Sequence, residues 1–474
     1  MKRSLGIAVS FFLAVQPVFA QSLKSTLEDQ KSVEVTVYNS NIGLVKDVRQ
    51  IQLPAGEGEL KFMDVAAFIN PVTVLIRSLN QPQALSVLEQ NYEYDLLSPQ
   101  KLMDKYVGKK IKLLNVNQYQ NTKETVEAEL MSNNNGEVFK IGNEIYLGHP
   151  GYRILPEIPD NLIAKPTLTW MFRNSGRNLH EVELSYLTSN ITWKADYVLL
   201  VNEDDTRADL SGWVTIDNKS GATYKDAKLK LVAGEVNRVY EESGLRSSVA
   251  YGAYAAKVVD GAAGFVEKSF FEYHIYDLQR KTTVKDNQTK QISLLEAGDV
   301  NVRKEFLVRG NKGWWFSSYA GQDLKTPVEV FLKFKNSKEN NMGMPLPKGT
   351  MRLYKKDSDG SQQFIGEDSI EHTPKDEEVR LKIGEAFDLV AERKQMDFQV
   401  LASGHLYESE WEITLKNHKE GDCVIGLLEP MSSDWQVVTS SHPYVKVDAF
   451  TARFDVNVPK DAEVKVKYRV RVRY

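Results

Sequence analysis

Apolar and polar residues alternate with a period of two in one short run after another, from "VEVTVYN" (33–39) to "EVKVKYRVRVRY" (463–474). Successive side chains of a strand point to opposite faces, so this period predicts strands buried on one side. In 463–474 the pattern is unbroken: Val464, Val466, Tyr468, Val470, Val472 and Tyr474 share one face, and Lys465, Lys467, Arg469, Arg471 and Arg473 share the other. A transmembrane barrel would set those valines against lipid, and a sandwich would set them in a core. The barrel needs many strands of about ten residues with an uncharged outer face. Here "LVKDVRQIQL" (44–53) mixes charge into both faces, and a capped helix and a proline-bearing linker interrupt the series. The sandwich is the reading adopted. Its basic face turns to solvent, where it protects an edge strand from pairing or offers a stripe for anions.

The fold class expected is all-β and multidomain, a small β-barrel plus β-sandwiches with a C-terminal immunoglobulin-like sandwich and few short helices. Residues 21–92 form an N-terminal β domain. One helix is marked in "SPQKLMDKYVG": Ser98 suits the N-cap, Pro99 the first helical position and Gly108 a left-handed exit. The short strands after it, with a turn at "NNNG", suggest a barrel-like domain over 93–165, ending in the linker "LPEIPDNLIAKP" (155–166). Residues 166–240 and 271–399 read as two parts of a central β region, and 400–474 as the immunoglobulin-like sandwich. Between them, 241–270 contains an Ala/Gly-rich stretch that reads as a mobile excursion. "GTMRLYKKDSDGSQQFIGE" predicts a hairpin turning at Asp357 to Gly360. No fixed-length repeat is evident.

The first residues set the compartment. Lys2 and Arg3 precede the apolar stretch "LGIAVSFFLAV", which is too short to span a bilayer, and Val18 and Ala20 suit a signal peptidase. Cleavage is expected between Ala20 and Gln21, and Gln21 is not the cysteine of a lipoprotein anchor. The formal charge of −4 becomes −6 once Lys2 and Arg3 are removed, which gives no case for a nucleic-acid partner. No second long apolar segment predicts a transmembrane helix. Cys423 is the single cysteine, so no internal disulfide can form; it precedes an apolar run and reads as a buried, inert thiol. Export without disulfides fits a bacterial envelope, the periplasm of a Gram-negative cell first, with secretion or outer-membrane association as alternatives.

Several long stretches carry a family resemblance. They are "WKADYVLLV", "SGWVTIDNKSGATYKDAKLKLVAGEVNRV", "FEYHIYDLQRKTTVKDNQTKQISLLEA", "GMPLPKGTMRLYKKDSDGSQQFIGEDSIEHTPKDEEVRLKIGEAFDL" and "YESEWEITLKNH", with "VTVYNSNIGLVKDVRQIQLPAG" upstream. Together they resemble a bacterial domain-of-unknown-function family that includes mucoidy-inhibitor-A-like proteins. The resemblance runs from about residue 33 onward and is strongest over 190–400. It implies an exported protein of β-domains with no established reaction and no catalytic residue to carry over; no cofactor is expected. Relatives of that name typically have a helical or coiled-coil segment before the shared domain, where this chain has the barrel-like 93–165.

Candidate sites are few. There is no zinc-protease helix, nucleophile elbow or phosphate loop, and none of the seven histidines pairs with another at metal-ligand spacing, so no metal is expected. "GEDSIEHTP" gathers Glu367, Asp368, Glu371 and His372; as a site these would be paired carboxylates and an imidazole for acid–base work, and otherwise a strand end and turn. Asp357, Asp359 and Gly360 resemble a calcium loop whose other ligands are missing, and a tight turn explains them. "GWWFSSYAG" places Trp314, Trp315, Phe316 and Tyr319 between glycines. On a strand the two tryptophans would face opposite ways, one into a core and the other free to stack on a sugar or partner, or to fill a domain junction. Trp193, Tyr197 and Trp213 are expected in the central core.

Two functions follow. The first is a non-catalytic, exported protein that binds or scaffolds an envelope protein or polysaccharide, with Trp314, Trp315 and Tyr319 as contacts. The second is an enzyme modifying envelope polysaccharide, with Glu367 and Glu371 as acid and base.

Overall fold

The computed structural model describes residues 23–93, 97–117, 122–159, 165–234, 236–237, 264–319, 321–431 and 434–473. The expected signal segment with Ala20 and Gln21, and most of the Ala/Gly-rich excursion, lie outside the described residues. Residues Phe265–Phe270, expected in that excursion, instead form an ordered edge strand paired with Tyr273–Leu278.

The period of two is realised as all-β architecture. In Ile191–Val201 the residues Ile191, Trp193, Ala195, Tyr197, Leu199 and Val201 are buried on one face. This strand sits inside a five-stranded sheet, antiparallel to Arg207–Asn218 and parallel to Gly349–Lys356. A large sheet packs against it, built on Gln30–Tyr38, Ile42–Gln52, Leu179–Ser189 and Tyr224–Ala233. The first strands of the chain and the central ones therefore share one core. Buried tyrosines are tolerated there because their hydroxyls find acceptors. Tyr197 donates to the Pro347 carbonyl at 2.8 Å and Tyr276 to the Pro345 carbonyl at 2.9 Å. Trp213, expected in the core, is instead 40% exposed on the outer face, because Ala208, Leu210, Val214 and Ile216 carry the inward parity of its strand.

The segment 93–165 is an insertion. Leu85–Glu93 and Thr167–Asn174 flank it and pair with each other in a four-stranded sheet, so the chain leaves and returns at adjacent strands. Between them the helix Pro99–Lys105 begins where the Ser98 side chain accepts from the Lys101 N–H, and Gly108 exits at φ +80°. The expected small barrel is corrected here to an open sheet. Its order runs Glu144–Leu147, Val138–Ile141, Thr122–Ser132, Lys110–Asn117, Tyr152–Ile154, and among the described residues no pairing joins the two end strands. Closure needs a longer, tilted and staggered set of strands, and the end strands have four and three residues.

The second sandwich draws on strands from Arg303 onward rather than on the last 75 residues alone. One sheet contains Arg303–Arg309, Val328–Lys335, Glu378–Glu385, Cys423–Pro430 and Thr451–Val458; the other contains Asp323–Thr326, Leu389–Ala402, Leu406–Asn417, Asp434–Ser440 and Glu463–Arg473. Their inner faces meet in a core that includes Trp411, Ile413, Ile425, Phe454 and Val470. The hairpin expected over 349–367 forms, turning where Asp357 and Gly360 bond across, and it belongs to the sheet of the first core.

Four strand ends share one device. Asn174, Asn218, Asn336 and Asn417 are buried, and each amide donates to neighbouring carbonyls while its oxygen accepts a backbone N–H. The side chain thus satisfies backbone groups that the ending ladder would leave unpaired.

Candidate functional site

The segment Lys312–Trp315 is a single 3-10 turn and not a strand, because the Asn311 side chain accepts from the Gly313 N–H at 2.8 Å and curls the chain. It links a strand of one sheet to a strand of the other and so crosses the end of the second sandwich. Trp315 is fully buried; its indole N–H donates to the Pro430 carbonyl at 2.8 Å and its ring packs edge-on to Trp411. Trp314 is half-buried, 5.9 Å from Trp411. Tyr319 packs against Trp411 and its N–H donates to the Gln395 side chain. The structure thus brings Trp314, Trp315 and Tyr319 together around Trp411, as a plug. The free indole expected on a strand is absent at Trp315, since a helical turn lets both rings reach the same core.

Beneath the plug lies a group that the pattern of motifs does not reveal. Arg393 and Glu429 are buried and come from opposite sheets. The guanidinium donates from Nη1 to Glu429 Oε2 at 3.0 Å, from Nη2 to Glu429 Oε1, and from Nη1 to the Tyr468 hydroxyl at 3.1 Å. Its carbon lies 4.6 Å from the Trp314 ring centre, a cation–π contact. Burial opposes the charge on Arg393, but the Glu429 carboxylate outweighs it and holds the guanidinium pKa above its ordinary value. Burial also pushes the Tyr468 hydroxyl well up, with the Glu429 charge adding to it. Gly310 is required at the rim: a Cβ there would stand 2.5 Å from Glu429 Oε2. The arrangement is a two-sheet clasp with its carboxylate fully engaged, suited to holding the plug rather than to proton transfer.

The basic face of Glu463–Arg473 has a different meaning from either one expected. The strand is interior, between Leu406–Asn417 and Asp434–Ser440, so it protects no edge. Its cations meet carboxylates across the sheet: Lys465 and Lys467 pair with Glu412, Arg469 with Glu410, Glu408 and Asp397, and Arg471 with Glu408. A hydrogen bond from Lys467 leads in lowering the Glu412 pKa, and one from Arg469 in lowering that of Asp397. Burial works to raise Glu408, and its bonds to Arg471 and Arg469 win. Lys465, Lys467, Arg469 and Arg471 are thus each engaged by a carboxylate of the same protein rather than standing as a free cationic stripe.

The carboxylate cluster is dispersed. Glu367 pairs with Arg352 at 3.3 Å and Glu371 with Lys348 at 3.0 Å, both exposed. His372 accepts from the Lys348 N–H through Nδ1, and Asp368 accepts from the Lys382 N–H. Glu367 and Glu371 are four residues apart on extended chain, or about 13 Å by strand rise, beyond the roughly 5–9.5 Å between glycosidase carboxyls. Asp357 and Asp359 serve their turn, Asp359 accepting from the Ser361 N–H. Cys423 is buried, and burial pushes its thiol up, away from the nucleophilic form.

These elements define a class: an all-β protein of two sandwich cores, with an inserted open sheet and a clasped aromatic plug. Residues 182–474 match the family model described as domain of unknown function DUF4139, and the chain belongs to that family. The match contains the clasp, the plug and the cation–carboxylate ladder, and excludes the inserted sheet. No curated protein matches the chain.

Proposed function

We propose that the protein is an exported, non-catalytic envelope protein that captures an extended segment of another envelope protein on its inserted sheet. The observation that carries this reading is the pair of end strands of that sheet. Glu144–Leu147 is exposed along its whole length, with Ile145 67% and Leu147 86% exposed, and Tyr152 on the other end strand is 70% exposed. Among the described residues no strand pairs with the outer edge of either, and apolar side chains beside such an edge suit the addition of a strand. A glycan offers no such backbone ladder, so a protein segment is the better fit. Export rests on the signal-like segment before Gln21, and a place among mucoidy-inhibitor-like relatives rests on the stretches that resemble them. Trp314 and Tyr319 act in this reading by closing the second sandwich, not as contacts.

The test is crosslinking in living cells from a photoreactive residue at position 147, with captured species identified by mass spectrometry. A specific envelope protein recovered from position 147, and lost on Ile145→Lys with the fold intact, supports the reading. Recovery of the same species from a photoreactive residue at the exposed position 213, or of glycan alone, would sink it.

A further inference from the structure

The hairpin of Phe265–Phe270 and Tyr273–Leu278 forms one edge of the large sheet, and its two-residue turn is Phe271 and Glu272. Phe270 pairs with Tyr273 at the last rung, whereas the neighbouring strand Tyr224–Ala233 ends opposite His274. The turn therefore stands past the end of that strand. Of the two turn residues Phe271 alone has a positive φ, +56°. A hairpin turn of that geometry takes glycine at its first position, and a bulky side chain there is a steric outlier. Such strain costs stability and gathers at functional sites.

Phe271 is 82% exposed and Phe270 61% exposed, so packing within the chain does not account for a phenylalanine in a glycine position. Phe270 shares a face with Tyr273, and the Phe271 ring centre lies 6.4 Å from that of Tyr273. Tyr273 is half-buried against the Gly234 backbone, where a Cβ would stand 2.5 Å from its ring. Three aromatic rings are thus gathered at a projecting tip whose base is fixed. The exposed charges beside them are Lys268 and Glu272, one of each sign. Two phenylalanines on a convex turn present far less than the roughly 800 Å² per partner of a stable protein interface. They suit a lipid surface, where aromatic rings settle at headgroup depth and the backbone groups of a turn still meet water.

We infer that this tip inserts into the surface of a zwitterionic phospholipid bilayer, Phe270 and Phe271 reaching the acyl boundary while Lys268 and Glu272 meet the two charges of the headgroup. The inference is independent of the strand-capture reading, since another element on another sheet carries it. The experiment is flotation of the mature protein with phosphatidylcholine vesicles at low and high salt. The expected result is co-flotation that salt does not abolish. Phe271→Gly separates the lipid role from a structural one: it relieves the positive φ, so its urea midpoint should equal or exceed that of the parent, while its partition onto vesicles should fall about ten-fold. Phe270→Ser should weaken partition to a similar degree. A polarity-sensitive dye on Ser269→Cys reports insertion directly, because the native Cys423 is buried; its emission should rise and shift to the blue with vesicles. The same dye on Phe387→Cys, at an exposed phenylalanine elsewhere, should not respond. Absence of flotation, flotation only with anionic vesicles and lost in salt, a silent dye at position 269, or a Phe271→Gly protein that floats like the parent would overturn the assignment. A Phe271→Gly protein less stable than the parent would overturn it too, by showing that the ring serves the fold. A protein crosslinked from position 271 with no vesicle binding would make the tip a protein contact instead.

Discussion

Arg393→Met is the perturbation that tests the clasp most directly. The substitution removes the cation and leaves the Glu429 carboxylate buried in a core beside the Tyr468 hydroxyl. Breaking a buried pair from one side costs about 3–5 kcal/mol, most of it the stranded charge. With a urea slope of about 2 kcal/mol per molar for a unit of this size, the unfolding midpoint should fall by roughly 2 M. Tryptophan fluorescence reads the right unit, since Trp314, Trp315, Trp411 and Trp435, four of the seven tryptophans, belong to the second core. Removing both charges, in Arg393→Met with Glu429→Met, should recover most of the loss, because apolar replacement of a buried pair is often neutral or stabilising. The single variant should also suffer less in acid, where the stranded carboxyl takes up a proton. A midpoint within about 0.5 M of the parent for Arg393→Met, or a double variant as damaged as the single, would refute the reasoning.

Two further outcomes follow from other elements. Asn417→Ala strands three carbonyls and the Lys419 N–H at one corner, and should cost about 3 kcal/mol by the same fluorescence assay, whereas Glu420→Ala nearby, on an exposed pair, should cost under about 1 kcal/mol. The ladder carboxylates Glu408, Glu412 and Asp397 have folded-state pKa values lowered by their cations, so their contribution is present above the unfolded carboxylate range and is lost as pH falls through the folded values. The urea midpoint of the second core should therefore drop as the pH falls below the ordinary carboxylate range, and Glu408→Gln with Glu412→Gln should flatten that dependence.

The period of two made the strands legible, and Ser98, Pro99 and Gly108 made the helix legible, because both signals are local. What pairs with what was not legible. Whether Glu144–Leu147 meets Tyr152–Ile154 decides barrel or sheet, and no local pattern reports it. The basic strand 463–473 looked like an edge because its acidic partners, Glu408 to Glu412, lie more than fifty residues upstream. Trp213 lies on the outward parity of its strand, where Ala208, Leu210, Val214 and Ile216 point inward, and that alternation is local and legible. The clasp did leave a trace. Leu389, Ala391, Arg393 and Gln395 share the buried parity, as do Ile425, Leu427 and Glu429. A charge on core parity in each of two strands is a signal for a buried pair. Likewise, "RN", "DN" or "KN" at a strand end marks the Asn corner, a recurrence too irregular in spacing to register as a repeat.

The same parity rule finds a second pair, which gives the clasp a more general meaning. Asp47 and Arg49 are both buried on Ile42–Gln52. Arg49 donates to Asp47 Oδ2 at 2.8 Å, reaches the Ser25 carbonyl in another sheet at 3.1 Å, and stacks 3.6 Å over Phe62. Each core thus holds one arginine, one carboxylate and one aromatic ring at a junction between two sheets. Such pairs are weak contributors to stability when judged against apolar replacements, so stability alone does not account for two of them. Their geometry is directional, which apolar packing is not, and a sheet slipped by one residue would strand a buried charge. Register dependence of this kind holds for Arg393 and Glu429, which sit on different sheets; Asp47 and Arg49 share one strand, and there it is the Arg49 bond to the Ser25 carbonyl that depends on alignment. On this argument the double variant at Arg393 and Glu429 keeps its urea midpoint but loses uniqueness, seen as broadened or doubled amide resonances across Leu389–Ala402 and Cys423–Pro430. A double variant with one sharp set of resonances would show that packing alone sets the register.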